Sequence, residues 1–226
     1  NHQNIAKNLY WLGNSYFEQN DYPKAKEYLL KSLNISENNL GENHPDLTSN
    51  LKLLAQININ QGELINSFNL FSRALNIEEK AYGKSHPYVA NTLLRIADLL
   101  ISQKEYQKAE KTYLRALRIR EEILGKYHPL VSQAQIDFAS FQNALGQNKN
   151  SEMYMKNGIK TEIELIQREA PLMAQGDRIA FVSSLGDSYF KVFTSSLKNE
   201  SAKETALFAR LNRHGLLQQI EKYQSN

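Results

Sequence analysis

The 226-residue sequence contains no cysteine and no long run of apolar residues. The absence of cysteine excludes disulfide bonds, cysteine-ligated zinc, iron–sulfur clusters and thiol nucleophiles within these residues. The apolar runs are only a few residues long, whereas a transmembrane helix needs roughly 20. No signal peptide is recognisable. We therefore expect no membrane partner and a cytoplasmic location.

An excess of charge of one sign is also missing, because 27 basic residues face 24 acidic ones and the net charge is +3. The most basic stretch, residues 108–120, is interleaved with acidic residues such as Glu110. The local positive field therefore largely cancels, and we expect no nucleic-acid partner.

Motifs for catalysis are absent as well. No Gly-x-Ser-x-Gly elbow and no Walker phosphate loop occurs. Acidic residues such as Glu78 and Glu79 fall at predicted outward helix positions, where pairing with basic residues one turn away is expected. We predict no catalytic residue, no cofactor and no enzymatic activity. The rival hypothesis, a hydrolase acting within this chain, would need a reactive cluster that the sequence does not offer.

What the sequence does contain is a pentapeptide of the form Gly-x-x-His-Pro that occurs three times at a spacing of 42 residues. The three copies begin at Gly41, Gly83 and Gly125, and in each we predict that the Gly ends one helix and the Pro begins the next. A fixed period between 20 and 50 residues is typical of a stacked-repeat protein. Pro171 falls one further period after Pro129 and indicates that the register continues.

Small and large apolar residues recur in the same register. Ala25 aligns with a small residue in each later repeat, and Leu29 aligns with a large one. This alternation predicts paired antiparallel helices that approach closely at the small positions. The turn within each pair is predicted at Asn20, Gly62, Lys104 and Gly146, where a left-handed backbone is tolerated by Gly and Asn and strained at Lys104.

The pattern Leu12-Gly13-x-x-Tyr16 followed by Ala25, Leu29 and Ser32 resembles the tetratricopeptide (TPR) consensus. The 42-residue period with a His-Pro linker resembles the longer variant found in kinesin light chains. The resemblance implies an all-α fold, a right-handed α-solenoid of antiparallel helix pairs. It predicts a TPR array over residues 1–165, with repeats at about 5–45, 46–87, 88–129 and 130–165. Residues 166–226 are predicted to form a degenerate C-terminal helical pair that caps the array or links it to a further domain.

A second resemblance involves residues 161–164, Arg178 and residues 211–217. These short motifs resemble the segment that joins such repeats to a caspase-like protease domain in bacterial TPR–CHAT proteins. The resemblance implies that this chain is the regulatory arm of a protease whose catalytic residues lie beyond Asn226.

The three linker histidines are the obvious candidate metal ligands. Zinc ligands lie about 2 Å from one ion. Equivalent residues of successive repeats are separated by a helix pair, on the order of 10 Å. They cannot share a metal, and we predict no metal site and a packing or hydrogen-bonding role for each histidine in its linker.

The TPR resemblance also implies that the first helices of successive repeats line a concave groove that binds a protein or peptide. The groove residues are polar and rich in amides, which both donate and accept hydrogen bonds and so suit the main chain of an extended peptide. The predicted partner-binding residues are Lys7, Tyr10, Asn14, Phe17, Ser49, Lys52, Gln56, Asn60, Asn91, Arg95, Asp98, Gln133, Asp137, Ser140 and Asn143.

One known use of such repeats can be weighed directly. The clamp for the acidic C-terminus of heat-shock chaperones would require a basic pair and a central Asn at Tyr10, Leu53 and Asn91, and these residues do not match. Only Asn14 and Arg95 fit the clamp, so chaperone-tail binding is not expected. The alternative to partner binding is a structural module without a peptide ligand, which self-associates through the exposed ends or the C-terminal helices.

Overall fold

A computed structural model describes residues 2–169 together with Leu172 and Asp177. Within these residues the chain forms eight α-helices and no strand. The helices are α1 (His2–Glu18), α2 (Tyr22–Leu40), α3 (Leu47–Asn60), α4 (Leu64–Tyr82), α5 (Pro87–Ser102), α6 (Tyr106–Leu124), α7 (Pro129–Ala144) and α8 (Asn148–Glu169). The predicted all-α fold of helix pairs is confirmed. The predicted helical pair after residue 169 lies outside the described residues.

The chain divides into two compact units, Asn1–Ile119 and Arg120–Asn226. Unit 1 holds the helix pairs α1/α2 and α3/α4 and pairs α5 with the first part of α6. In unit 2, α7 packs against α8. The predicted division near residue 165 stays a prediction.

The small residues shared by the repeats set the distance between paired helices. Ala25, Ser67 and Ala109 have no exposed surface. At Gly13 in α1, an added Cβ would lie 2.7 Å from Leu29 Cγ of α2. Ser32 is 1% exposed, and its hydroxyl donates to the Ala6 carbonyl at 2.7 Å. These positions let large apolar side chains of the next helix fill a continuous core.

Large aliphatic side chains make up the core of unit 1. Leu29 of α2, Leu47 and Leu51 of α3, and Ile77 of α4 are fully buried in one cluster. Val89 and Leu93 of α5 pack with Ala116 of α6 in a second cluster. Within unit 1, helix pairs therefore bury their apolar faces partly within the pair and partly against the neighbouring pair, as expected of a repeat array.

The turns inside the pairs have the predicted left-handed backbone. The φ angles are 60° at Asn20, 78° at Gly62, 61° at Lys104 and 73° at Gly146. Gly adopts this conformation without penalty, but a side chain with a Cβ meets the backbone there. Lys104 therefore carries the strain predicted from the sequence.

His86 and His128 cap the helices that follow them, whereas His44 makes the same local bond to Asp46, the residue before α3. The backbone N–H two residues further on donates to the Nδ1 atom, at 3.2 Å for His44, 3.2 Å for His86 and 3.1 Å for His128. This bond satisfies a backbone donor that has no partner inside the helix. The geometry supports a structural role for all three histidines.

Proline begins the next helix in two linkers, at Pro87 and Pro129, as predicted. In the first linker the prediction is wrong, because α3 begins at Leu47, two residues after Pro45. There the N–H of Leu47 bonds the His44 carbonyl at 3.1 Å and the N–H of Thr48 bonds the Pro45 carbonyl at 3.0 Å. Both bonds span three residues, so the first turn is a tight 3₁₀ turn rather than an α-helical one.

An arginine on the second helix of a pair ties that helix to the pair before it. Arg73 pairs with Glu37 at 2.7 Å and donates to the Glu42 carbonyl at 2.8 Å. Arg115 makes the same two contacts one period later, with Glu79 and the Lys84 carbonyl. Arg115 belongs to the basic stretch noted in the sequence, and in the structure its charge is used within the array.

Replacing His86 will separate the contribution of the cap from that of packing. The His86 ring also lies 4.7 Å from the Tyr82 ring and 4.8 Å from the Tyr88 ring, between centroids. We expect His86→Ala to lower the free energy of unfolding by about 1–2 kcal/mol, since it removes both the cap and the ring contacts. His86→Asn keeps a capping oxygen and should lose less. Urea unfolding followed by circular dichroism measures both, and an equal loss in the two variants would show that the cap contributes nothing.

Candidate partner-binding surface

The predicted partner-binding residues of unit 1 lie on the first helices of its three pairs and are all reachable by solvent. None of them is buried. Exposed positions are Lys7, Ser49, Asn60, Asn91, Arg95 and Asp98, and half-buried ones are Tyr10, Asn14, Phe17, Lys52 and Gln56. Helices α1 and α3 are in direct contact, so their predicted residues share one stretch of surface.

Lys52 and Phe17 are engaged within the fold. The Lys52 ammonium lies 2.8 Å from Glu78 Oε1, and it sits 5.7 Å from the centre of the Tyr88 ring. Phe17 packs on the core of unit 1, and its ring centroid lies 5.8 Å from that of Tyr22. These side chains stabilise the fold, so a smaller part of each is available to contact a partner.

The buried carboxylate that holds Lys52 corrects a prediction from the sequence. Glu78 was expected at an outward, solvated position, yet its side chain has no exposed surface. Its second oxygen, Oε2, accepts a hydrogen bond from Thr92 Oγ1 at 2.6 Å. A buried carboxylate is tolerated when it is paired and hydrogen-bonded, as here. The prediction for Glu78 is therefore wrong, whereas Glu79 is partly exposed as expected.

In unit 2 the four predicted residues lie on α7 and are half-buried. Gln133 donates to Asp137 Oδ1 at 3.0 Å, one turn along the helix. The Ser140 hydroxyl donates to the Ile136 carbonyl of its own helix at 2.9 Å. These three polar groups are at least partly satisfied within α7.

A cleft of about 410 Å³ opens in unit 1 where α1, α2 and α3 meet. Three predicted residues, Lys7, Tyr10 and Ser49, line it together. We call it the first-junction cleft, and its remaining lining residues are Gln3, Ala6, Trp11, Ser32, Ser36, Leu40, Asp46 and Asn50. It is the place where the structure brings predicted residues from two different repeats into one concavity.

The polar groups of the first-junction cleft include hydrogen-bond donors from α1, α2 and α3. Burial raises the pKa of the Tyr10 phenol, and a hydrogen bond with Ser49 lowers it in part, so Tyr10 remains a neutral donor over the ordinary pH range. Lys7 supplies a positive charge and Asp46 a negative one at the rim. Asp46 Oδ2 lies 3.9 Å from His44 Nδ1 and its side chain is 57% exposed, so its charge is directed towards solvent.

Asn50 and Trp11 are residues of this surface that the sequence reasoning missed. Asn50 is only 4% exposed, and its Oδ1 atom makes no hydrogen bond within the described part of the chain. Trp11 is 65% exposed and stands edge-on to Tyr10, with ring centroids 5.4 Å apart. The repeat alignment could have indicated Asn50, because it aligns with Thr92, and both are polar residues at a position that faces the preceding helix pair.

Two other kinds of site are absent from the described residues. They contain no cluster of three or more His, Asp or Glu side chains with which a metal ion could be held. None of the helices described is long and apolar enough to cross a membrane.

Helix pairs in a 42-residue register, with small residues at the closest approaches, define the class of tetratricopeptide-like repeat proteins. The tetratricopeptide repeat family profile matches residues 4–59, 47–122 and 88–158. These ranges together cover more than half of the chain, and the chain belongs to this family. No curated protein sequence matches it.

Solved structures of the same fold include BtubC (BKLC) from P. vanneervenii, with a TM-score of 0.68 and 17% identity over 95% of this chain and 82% of that one. A putative kinesin light chain of Podosopora anserina with nearly identical TPR-like repeats has a TM-score of 0.66 and 17% identity, over 94% of this chain and 96% of that one. A Rap protein in complex with competence and sporulation factor has a TM-score of 0.60 and 14% identity, over 98% of this chain and 66% of that one. At such identities the likeness concerns the fold, and it confirms the resemblance to kinesin light chain-like TPR proteins.

Proposed function

We propose that this chain is a non-catalytic scaffold that binds an extended peptide or a protein segment through the first helices of its repeats. The observation that carries the proposal is the first-junction cleft, in which Lys7, Tyr10 and Ser49 from two repeats converge. The TPR fold is typically a scaffold, and a Rap protein of the same fold was solved with competence and sporulation factor bound. We retain a cytoplasmic location as part of the proposal.

The amide groups along the first helices of unit 1 give the surface its chemistry. Asn14, Gln56 and Asn91 lie one on each of α1, α3 and α5, and none of them is buried. An amide side chain can accept from a peptide N–H and donate to a peptide carbonyl. A row of amides therefore favours main-chain binding, which tolerates varied side chains in the partner.

Replacing the three amides together tests the proposal. A peptide first selected on the unchanged protein from a displayed random library serves as the probe. We expect the triple variant Asn14→Ala, Gln56→Ala and Asn91→Ala to bind it about 10- to 100-fold more weakly, because each lost hydrogen bond is worth about 1 kcal/mol. Fluorescence anisotropy measures the affinity.

A matched control uses three exposed amides on the second helices. Asn34, Asn38 and Asn76 are exposed and lie on α2 and α4. Their triple replacement by Ala removes the same number of amides from another face and should leave the affinity unchanged. Equal affinity in both triple variants would place the binding surface elsewhere.

A more specific form of this proposal is that the scaffold is the regulatory arm of a caspase-like CHAT protease domain. Its support is the resemblance at residues 161–164, Arg178 and residues 211–217. Only the first of these segments lies among the described helices, where Thr161 and Glu162 are 2% exposed and serve the packing of α8. Sequencing the source gene past the codon for Asn226 tests the link: a reading frame with a His and a Cys after predicted strands supports it, and an immediate stop codon refutes it.

A second candidate function, self-association, is favoured by the outer face of α1. Ile5 is 49% and Leu12 41% exposed, whereas the residues one period later, Leu47 and Leu54, are 0% and 2% exposed. The equivalent face of α3 is covered by the helices of the first pair. A second copy of the chain could bury the exposed face of α1.

Sedimentation equilibrium at tens of micromolar separates the two candidates. If the α1 face joins two copies, we expect twice the monomer mass for the unchanged protein and the monomer mass for Ile5→Ser with Leu12→Ser. A monomer in both samples would eliminate self-association through α1.

A further inference from the structure

The repeat register allows one junction between helix pairs to be compared with the next. The first junction lies where α1, α2 and α3 meet, and the second where α3, α4 and α5 meet. Adding 42 to Tyr10, Ser36 and Asn50 of the first junction gives Lys52, Glu78 and Thr92 of the second. Each junction thus has three positions, one on each of its helices.

At the second junction the three side chains form a closed network. Glu78 has no exposed surface, and its two oxygens are bound by the Lys52 ammonium at 2.8 Å and the Thr92 hydroxyl at 2.6 Å. The carboxylate therefore occupies a place that the fold surrounds with donors. Such charge-assisted hydrogen bonds are stronger than those between neutral groups.

At the first junction the position of Glu78 is taken by Ser36. Serine is shorter than glutamate by a methylene and a carboxyl group, and its hydroxyl cannot reach as far between the helices. The first-junction cleft lies there, and Ser36, Tyr10 and Asn50 all line it. The space that a carboxylate fills at the second junction is thus open at the first.

The groups around the open space remain suited to a carboxylate. The Tyr10 hydroxyl stands in place of the Lys52 ammonium, and the Asn50 amide stands in place of the Thr92 hydroxyl. Lys7 lines the same cleft and supplies the positive charge that Tyr10 lacks. Asn50 is 4% exposed, and its Oδ1, an acceptor, has no hydrogen bond in the described structure. A 180° turn of the amide exchanges Oδ1 with Nδ2 and presents a donor at that place instead.

We propose that the first-junction cleft binds the side-chain carboxylate of an acidic residue in the partner peptide, in the place that Glu78 fills internally at the second junction. The inference rests on the proposed peptide-binding function and names the chemistry of one subsite. Asp46 opposes the incoming charge, but its carboxylate is directed to solvent, and Lys7 offsets it. The selectivity comes from donors that a neutral or basic side chain leaves unsatisfied.

The direct probe is N-acetyl-glutamate methylamide, titrated against the folded chain while the side-chain amide signals of Asn50 are followed by NMR. N-acetyl-glutamine methylamide has the same shape without the charge, and N-acetyl-lysine methylamide carries the opposite charge. We expect saturable shifts with the glutamate compound and at least about tenfold weaker binding of the other two. Equal binding of the glutamate and glutamine compounds, or no saturable shift, would overturn the proposal.

Replacing Ser36 provides an internal test. Ser36→Glu should place a carboxylate of the chain itself in the cleft and abolish binding of the glutamate probe, whereas Asn34→Glu, which adds the same charge at an exposed position of α2 outside the cleft, should leave that binding nearly unchanged. Ser36→Glu should also unfold at a higher temperature than Ser36→Gln, which has the same length without the charge. Undiminished probe binding by folded Ser36→Glu would show that the ligand binds elsewhere.

The two levels of the proposal can fail separately. If the selected peptide binds and the amide triple variant weakens it, but the glutamate probe shows no preference, the peptide-binding function stands and the acidic subsite is wrong. If the probe binds with the expected preference but no displayed peptide does, the cleft is a carboxylate site and the peptide-binding function is wrong.

Discussion

The close approach of paired helices is the constraint on which the remaining structure depends. It requires a residue with little or no side chain wherever two helices touch, and Gly13 shows how strict that is, because a single added methyl group would meet Leu29 at 2.7 Å. Small residues recur at the equivalent positions 42 residues on, where Ala55, Ala97 and Ala139 replace Gly13. The 42-residue register is therefore a packing requirement. As a result, any two residues 42 positions apart lie at equivalent places in neighbouring repeats.

The linkers fix where one helix ends and in which direction the next helix begins. Gly83 ends α4 with a φ of 87°, and His86 caps α5 through its Nδ1 atom. Arg115 then ties the following pair back to Glu79 and to the Lys84 carbonyl. Each of these contacts is worth about 1 kcal/mol or less by itself. Their repetition matters more, because Arg73 and Arg115 orient the two junctions of unit 1 by the same contacts and not by one strong interaction.

The sequence predicted the features that depend on spacing alone. Helix pairs, their turns at Asn20 and Lys104, and the structural place of the linker histidines follow from period, backbone preference and geometry. It did not predict the burial of Glu78, because a glutamate on a helix looks solvated until the helix that covers it is in place. The start of α3 was also missed, since Thr48 competes for the Pro45 carbonyl through both its N–H and its hydroxyl. The first-junction cleft depends on three side chains from three helices, and no local pattern reports their meeting.

Equivalent positions in a repeat array offer a way to distinguish structural polar groups from binding groups. Where Lys52, Glu78 and Thr92 satisfy one another, the position stabilises the junction and has no capacity left for a ligand. Where Tyr10, Ser36 and Asn50 stand instead, no side chain of these three positions supplies a carboxylate, and Asn50 Oδ1 has no hydrogen bond in the described structure. A buried polar group without a partner costs free energy in the folded chain. The proposed acidic subsite follows from this contrast, since the second junction holds a carboxylate at the position equivalent to Ser36.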